Sequence, residues 1–294
     1  MNLELSVILV NFNDRAHLGD CLSSLGNGTR GLAAEVILVD NHSQDGSQEL
    51  VRASFPWVRL IQNAENIGYA KANNVGIKAS RGNFILFLNT DTVVPPEVLP
   101  SLLGELKAKP ELGAVGPALV HENNKCQVSF GRRVSFFAEI LQKFILNPYY
   151  KKALNHSSKP REVWWVSGAC LLARRTAVED AGFFDETFFI YFEDIDLCVR
   201  MRKKGWKLVF FPGLRIIHAG GATTSARKFQ TRLEYRRSQL YFYRKHSSRL
   251  SVFFLKLYLR FNFFLHYVFK LRKPGDRALL RSQMSRIFGA EKIS

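Results

Sequence analysis

The chain has 294 residues, room for one large domain or one domain with a substantial appendage. With 47% apolar and 23% charged residues it is a folded globular sequence, which excludes wholesale disorder. The formal charge of +17 is uneven: residues 1–200 hold 20 Lys+Arg against 22 Asp+Glu, residues 201–294 hold 22 against 3, and a uniformly cationic nucleic-acid coat is thereby excluded.

The chain begins Met1-Asn2-Leu3-Glu4, with an acid and no basic leader segment, and the apolar run Val7–Val10 is too short for a signal peptide. Cys21, Cys126, Cys170 and Cys198 lie far apart with no C-x-x-C pair, which argues against a zinc ribbon, a thioredoxin-type site or a disulfide framework. A reducing, cytosolic setting is the expectation.

Near-continuous apolar runs at Ser6–Asn11, Glu35–Asp40, Val58–Gln62 and Phe84–Asn89 read as strands of a parallel sheet buried on both faces. Helical patterns separate them at His17–Leu25, Ser47–Ala53 and Gly68–Ala79, and this β-α-β-α order predicts an open, doubly wound sheet. Three strands end in polar clusters: Asn11-Phe12-Asn13-Asp14, Asp40-Asn41-His42-Ser43 and Asn89-Thr90-Asp91. Singly, such residues are turn formers and caps. Together, at the carboxyl edge of one sheet, they predict a shared ligand site. A nucleotide-activated donor would need a polar group for its base and ribose, and carboxylates holding a divalent cation for its diphosphate. Asp40 suits the first task and Asp91 the second, although a helix cap explains either alone.

A helix over Glu97–Lys107 follows Pro95-Pro96. Residues 121–162 lack a clear period, contain Tyr149-Tyr150-Lys151-Lys152 and Asn155-His156-Ser157-Ser158, and read as a long excursion able to lie over a cleft. A strand is expected over Trp164–Arg174, a helix over Leu197–Lys204 ended by Gly205, and a strand over Lys207–Phe211 before Pro212-Gly213. The densest acidic cluster is Glu193-Asp194-Ile195-Asp196. It is either the acidic first turn of a helix or a general base whose pKa is raised among Phe188, Phe189, Tyr191 and Phe192. Read alone, His218 in its glycine-rich loop suits a surface or capping role better than metal ligation.

From Thr231 onward, Arg232, Tyr235, Arg236, Gln239, Tyr243 and Arg244 fit a basic helix. Residues 252–271 are apolar and aromatic but interrupted by Lys256, Arg260 and His266, with Lys270, Arg272 and Lys273 at their end. Central charges at about 2.5–3.5 kcal/mol each disfavour a membrane span. Lys256 and Arg260 share one face, so an amphipathic helix in the interface of an anionic bilayer explains the run better. Packing on the domain or on a second subunit is the alternative.

Seven segments in order carry a resemblance: Ser6–Asn13 (SVILVNFN), Val39–Ser47 (VDNHSQDGS), Asn66–Gly76 (NIGYAKANNVG), Leu88–Thr92 (LNTDT), Trp165–Arg175 (WVSGACLLARR), Gly182–Gly205 (GFFDETFFIYFEDIDLCVRMRKKG) and His218–Gly221 (HAGG). Across roughly residues 5–221 the chain resembles the family 2 glycosyltransferases, inverting enzymes of the GT-A fold, and among them the bacterial rhamnosyltransferase-like members. The resemblance implies a Rossmann-like, mixed but mainly parallel sheet flanked by helices over residues 1–228, with residues 229–294 a basic, aromatic helical extension. It implies that Asp40 contacts the base or ribose of a nucleotide-diphosphate sugar beside Val10 and Asn11, with Lys71 near the nucleotide. It places Asn89, Thr90 and Asp91 at the diphosphate, and Asp91 with His218 on a divalent metal, Mg²⁺ or Mn²⁺. Asp194 would be the base, with Glu193 or Asp196 able to displace it in that assignment. Trp164, Trp165, Gly168 and Glu193 would line the acceptor side.

The family's Asp-x-Asp is here Asn89-Thr90-Asp91, so one carboxylate is missing and metal binding should be weaker. The implied reaction moves a sugar, with rhamnose among the candidates, to a saccharide hydroxyl with inversion. A polyprenyl-diphosphate-linked acceptor and a peripheral position on the cytoplasmic face of the membrane are what the resemblance implies when joined to the basic tail. Self-association stays open. Two other readings compete: a catalytically silent nucleotide-sugar-binding scaffold, and a nucleic-acid clamp built on residues 201–294. Residues 1–200 are net negative and carry no nucleic-acid motif, so no nucleic-acid partner is expected.

Overall fold

A computed structural model describes residues 3–131, 158–220 and 228–265. Most of the excursion expected over 121–162, including Tyr149–Lys152 and Asn155–Ser157, lies outside the described residues, as do Gly221, His266, Lys270, Arg272 and Lys273.

The first half follows the alternating pattern. Strands β1 (Leu5–Asn11), β2 (Ala34–Asp40), β3 (Val58–Gln62) and β4 (Phe84–Asn89) run parallel, joined through helices α1 (Arg15–Gly28), α2 (Ser47–Ser54) and α3 (Tyr69–Ala79). β1 is buried along its whole length. Its side chains alternate between two clusters: Leu5, Val7 and Leu9 meet Leu18, Leu22 and Leu25 of α1, while Ile8 packs on the opposite face with Ile77 of α3 and Phe87. Register then builds the site: β1 pairs Asn11 with Asp40 on one side and Val10 with Asn89 on the other.

The second half makes the sheet mixed. After β5 (Thr92–Val93) come α4 (Val98–Ala108), β6 (Leu112–Val120), β7 (Phe130–Gly131), β8 (Arg161–Val163), β9 (Trp165–Val166), β10 (Cys170–Arg174), α5 (Arg175–Asp180), α6 (Glu193–Lys203) and β11 (Lys207–His218). The main sheet runs β3-β2-β1-β4-β10-β6-β11-β5, with β8 paired to β11. β10 is antiparallel to both β4 and β6, whereas β11 is parallel to β6. The four cysteines are free and buried.

Three expected boundaries move, each for a physical reason. The strand expected over Trp164–Arg174 is broken at Ser167-Gly168-Ala169, where the Gly168 N–H leaves the ladder to donate to the Asp194 carboxylate at 2.7 Å. The helix expected from Leu197 starts a turn earlier, at Glu193, behind the left-handed Tyr191 and Phe192 (φ 71° and 67°). The strand expected to end at Phe211 continues to His218, and Pro212-Gly213 is absorbed as a register shift against β6.

Two further helices, α7 (Lys228–His246) and α8 (Arg249–Leu265), close the described chain. They pack onto the same core as the sheet: Leu240, Phe242, Tyr243, Leu255 and Leu259 share a cluster with Phe188, Phe192 and Leu197. Among the described residues, no helix is long and apolar enough to cross a membrane.

Candidate active site

The ends of β1 and β2 form the first wall. Asp40 is fully buried, and its carboxylate accepts from Asn11 Nδ2 (2.8 Å), the Ser43 backbone N–H (2.9 Å) and Gln48 Nε2 (2.7 Å). Asn11 Nδ2 also donates to Ser43 Oγ at 3.0 Å. Asp40, expected at the base or ribose, therefore first organises the loop that would receive them. Outside it lies a polar depression of about 530 Å³ lined by residues including His42, Ser43, Gln48, Gln62 and Asn63. Val10 is buried, and Lys71 is exposed in the first turn of α3.

The end of β4 forms the second wall. Thr90 is buried and donates from Oγ1 to Asp14 Oδ2 at 2.8 Å. Asn89 Oδ1 accepts from the Tyr69 hydroxyl at 3.0 Å. Asp91 Oδ1 lies 3.3 Å from His218 Nε2, and its Oδ2 accepts the Gly220 N–H at 3.2 Å. The pairing of β5 with the end of β11, Thr92 opposite His218, makes this meeting possible. Resemblance alone linked His218 to Asp91, and the extension of β11 brings them together.

Gln127 is a partner that sequence reasoning missed. Its Oε1 faces His218 Nδ1 at 2.7 Å, while its Nε2 donates to the His218 carbonyl at 2.6 Å. The amide orientation assigns the proton to Nδ1, which leaves Nε2 an acceptor 3.4 Å from Asn89 Nδ2 and 3.3 Å from Asp91 Oδ1. That imidazole nitrogen and carboxylate oxygen lie close enough to share a cation. One carboxylate and one imidazole with the remaining positions open suit Mg²⁺ or Mn²⁺ shared with phosphate oxygens. Among the described residues no three such side chains converge, so the protein would supply a partial shell.

The third wall is the start of α6. Asp194 is half-buried, and its two oxygens accept the backbone N–H groups of Gly168 and Ile195, each at 2.7 Å. Burial raises its pKa above the ordinary aspartate value, and those two N–H groups offset part of the rise. A Cβ on residue 168 would stand 2.9 Å from the Asp194 Cβ, so only glycine admits this approach. Glu193 is buried with Oε2 unpartnered, and burial, then the Asp194 charge, holds its carboxyl well above the usual range.

Asp196, the third carboxylate, is fully buried. Its Oδ2 accepts from Arg200 Nε at 2.7 Å, and its Oδ1 meets Lys245 (2.7 Å) and His246 (2.6 Å). Burial alone would raise its pKa, but His246, Arg200 and Lys245 hold it below the ordinary value. Both oxygens are committed to this ion cluster, which removes Asp196 from the choice of base. On the acceptor side, Gly168 and Glu193 adjoin Asp194. Trp164 instead stacks beneath the Arg202 guanidinium, 4.9 Å from ring centre, and the Trp165 indole fills the space that a Cβ on residue 131 would occupy.

Tyr69 joins the second and third walls, since its hydroxyl lies 3.0 Å from Asn89 Oδ1 and 3.5 Å from the Gly168 carbonyl. Burial, then the Glu193 charge, pushes its phenol well above the ordinary value, so it stays a neutral donor. A run of contacts thus links the metal-suited pair to the carboxylate: His218 to Asn89, Asn89 to Tyr69, Tyr69 to Gly168 and Gly168 to Asp194.

Comparison with known proteins agrees with this architecture. The family model described as glycosyl transferase family 2 matches residues 6–182. An N-acetylglucosaminyl-diphospho-decaprenol L-rhamnosyltransferase of Mycobacterium tuberculosis is 30% identical over 235 residues, 73% of this chain and 75% of that protein. The O-antigen biosynthesis protein RfbC of Myxococcus xanthus is 31% identical over 232 residues, 74% of this chain but 18% of its own. Among solved structures, the mannosyltransferase PcManGT of Pyrobaculum calidifontis, in complex with GDP-Man and Mn²⁺, aligns over 99% of this chain and 76% of its own, with TM-score 0.60 and 16% identity. GalNAc-T7 with UDP, GalNAc and Mn²⁺ aligns over 73% of this chain and 43% of its own, with TM-score 0.58 and 18% identity. The sheet, the order of the motifs and these relatives lead to one conclusion: the chain belongs to glycosyl transferase family 2, resembles its rhamnosyltransferases and is a glycosyltransferase of the GT-A fold.

Proposed function

We propose that this enzyme transfers a sugar, with inversion, from a nucleotide-diphosphate donor to a hydroxyl of a polyprenyl-diphosphate-linked saccharide at the cytoplasmic face of a membrane. The observation that carries the reading is the run of contacts that joins the Asp91–His218 pair to Asp194 through Asn89, Tyr69 and Gly168. One wall suits the diphosphate and the other a proton acceptor, and a single sugar would lie between them. The rhamnosyltransferase relative, whose name specifies a diphospho-decaprenol acceptor, supports rhamnose and a lipid-linked acceptor as first candidates.

Asp194 takes the proton of the acceptor hydroxyl as its oxygen attacks the anomeric carbon. The bond from that carbon to the diphosphate breaks on the opposite side, and the electron pair leaves with the nucleoside diphosphate. One displacement inverts the configuration without a covalent sugar–enzyme intermediate. Asp91 and His218 would hold Mg²⁺ or Mn²⁺, which when bound neutralises charge on the departing diphosphate. The loop organised by Asp40 holds the nucleoside end, and Gly168 and Ile195 keep Asp194 aimed.

A donor screen tests this reading. Purified protein with Mg²⁺ or Mn²⁺ and dTDP-, UDP- and GDP-linked sugars should show a thermal shift with one donor class. EDTA should remove the shift, as should Asp91→Ala. Nucleoside diphosphate release should follow once a lipid-linked acceptor is added. A donor shift without release would favour a silent scaffold, and absence of both, at donor concentrations above KM values of about 1 μM–1 mM, would overturn the reading.

A further inference from the structure

The outer face of α8 has the wrong polarity for a helix on a water-exposed surface. Leu250, Phe253, Leu257, Phe261 and Phe264 are each 54–59% exposed. At about 100° per residue their spacing aligns them on one ridge. The opposite face is already used, since Ser251, Leu255 and Leu259 are buried against the core. A single exposed leucine needs no explanation. Five large apolar side chains in one line do, because contiguous apolar surface of this kind marks an interaction site.

The flank of the ridge indicates what covers it. Arg249, Lys256 and Arg260 fall along one side at the same helical spacing, and α8 contains no Asp or Glu. A second copy of the chain would bring two such basic flanks together, with no acid on α8 to offset them. Lipid headgroups carrying negative charge complement the flank, while their acyl chains accept the ridge. The net positive charge of the sequence also lies in residues 201–294, the stretch to which α8 belongs.

We propose that the Leu250–Phe264 ridge of α8 is a docking surface for an anionic bilayer. The helix axis lies in the membrane plane, the ridge enters the boundary of the acyl region, and Arg249, Lys256 and Arg260 sit among the headgroup phosphates. The setting rests on the membrane-facing reading above, and the ridge adds the surface and the orientation. Orientation follows because α7, which precedes α8, is fastened to the segment leading into Asp194. Ser238 Oγ donates to the Ile190 carbonyl at 2.8 Å, and the Tyr241 hydroxyl donates to Asp185 at 2.9 Å. Docking through α8 therefore holds the segment that leads into Asp194 in a fixed orientation to the lipid surface.

The test uses the full chain and two kinds of vesicle, neutral phosphatidylcholine alone and phosphatidylcholine with about a third phosphatidylglycerol. Co-sedimentation with the anionic vesicles only is expected. The triple variant Phe253→Ser, Leu257→Ser, Phe261→Ser should lose at least about tenfold of that partitioning, and Arg260→Glu should weaken it severalfold. Because these side chains are exposed, melting temperature and donor thermal shift should stay at the wild-type values. A Phe261→Trp variant should show a blue-shifted emission with anionic vesicles. Equal partitioning of wild type and triple variant overturns the proposal. So does a wild type that ignores anionic vesicles but self-associates through the ridge in sedimentation velocity. Failure here with the donor shift intact removes the docking surface alone, and vesicle binding without any donor shift removes the enzymatic reading alone.

Discussion

Replacing Asp194 with Asn is expected to lower turnover by about 10²–10⁴-fold, the usual contribution of a positioned general base, while donor affinity stays within a few-fold of wild type. Asparagine keeps the shape, and its side-chain oxygen can still accept one of the two N–H groups that hold Asp194, those of Gly168 and Ile195. What it loses is the ability to take a proton. Donor titration by thermal shift, alongside nucleoside diphosphate release, separates the two effects. The pH dependence has a definite sign. Burial raises the Asp194 pKa above 3.8, so the acid limb of kcat/KM should lie above that value, with activity falling as pH drops through the raised pKa. A limb at or below 3.8 in wild type would argue against Asp194 as the base.

Glu193 should behave differently although it is the adjacent carboxyl. Its pKa stands well above 4.5, chiefly through burial, so in the folded protein it keeps its proton while Asp194 ionises. Glu193→Gln exchanges one neutral side chain for another and should change turnover by less than about tenfold. Its effect should appear in stability. Above pH 4.5 the unfolded chain releases the Glu193 proton before the folded chain does, so wild-type stability declines as pH rises from 4.5 towards the raised folded value. The Gln variant lacks that decline. Urea unfolding between pH 4.5 and 8 should therefore favour the variant increasingly with pH.

Much of the fold was legible because its first half is made of local signals. The runs ending at Asn11, Asp40 and Asn89 are apolar on both faces, as helix-covered parallel strands must be, and parallel register gathers their polar ends at one edge. The second half depends on contacts distant in sequence. The Ser167-Gly168 pair marks a weak point in the strand, but the cause of the break is a carboxylate 26 residues away. Gln127 lies in a stretch without periodicity and meets His218 across 91 residues. Tyr69 sits inside a recognisable motif, but its hydroxyl acquires a role only when β10 enters the sheet beside β4. The acidic run at 193–196 reads as three equivalent carboxylates, and their environments separate them into one held by two backbone N–H groups, a neighbour whose pKa burial raises well above the usual range, and an ion-cluster anchor.

That anchor carries the second large effect. Asp196→Ala is expected to destabilise the protein by about 3–5 kcal/mol, the range for removing one partner from a buried charge pair. Arg200, Lys245 and His246 converge on this one carboxylate, and Lys245 alone has a second acid in reach, Asp185 at 2.6 Å. With Asp196 gone, Arg200 and Lys245 keep their charges in a site where one counter-charge has vanished. The pH dependence again has a sign: the wild-type pKa is depressed below 3.8, so the stabilisation is present above that value and is lost as pH falls through the folded pKa. The difference between wild type and variant should therefore narrow in acid, which urea unfolding at pH 7 and below pH 4 would measure. The cluster also joins α6, which carries Asp194, to the end of α7, from which α8 continues. Because α7, α8 and the Phe188–Leu197 segment share one core cluster, the variant should melt in a single transition at lower temperature. An early separate transition, with the sheet still intact, would instead show that the α7–α8 hairpin is held to the catalytic domain chiefly by these charges.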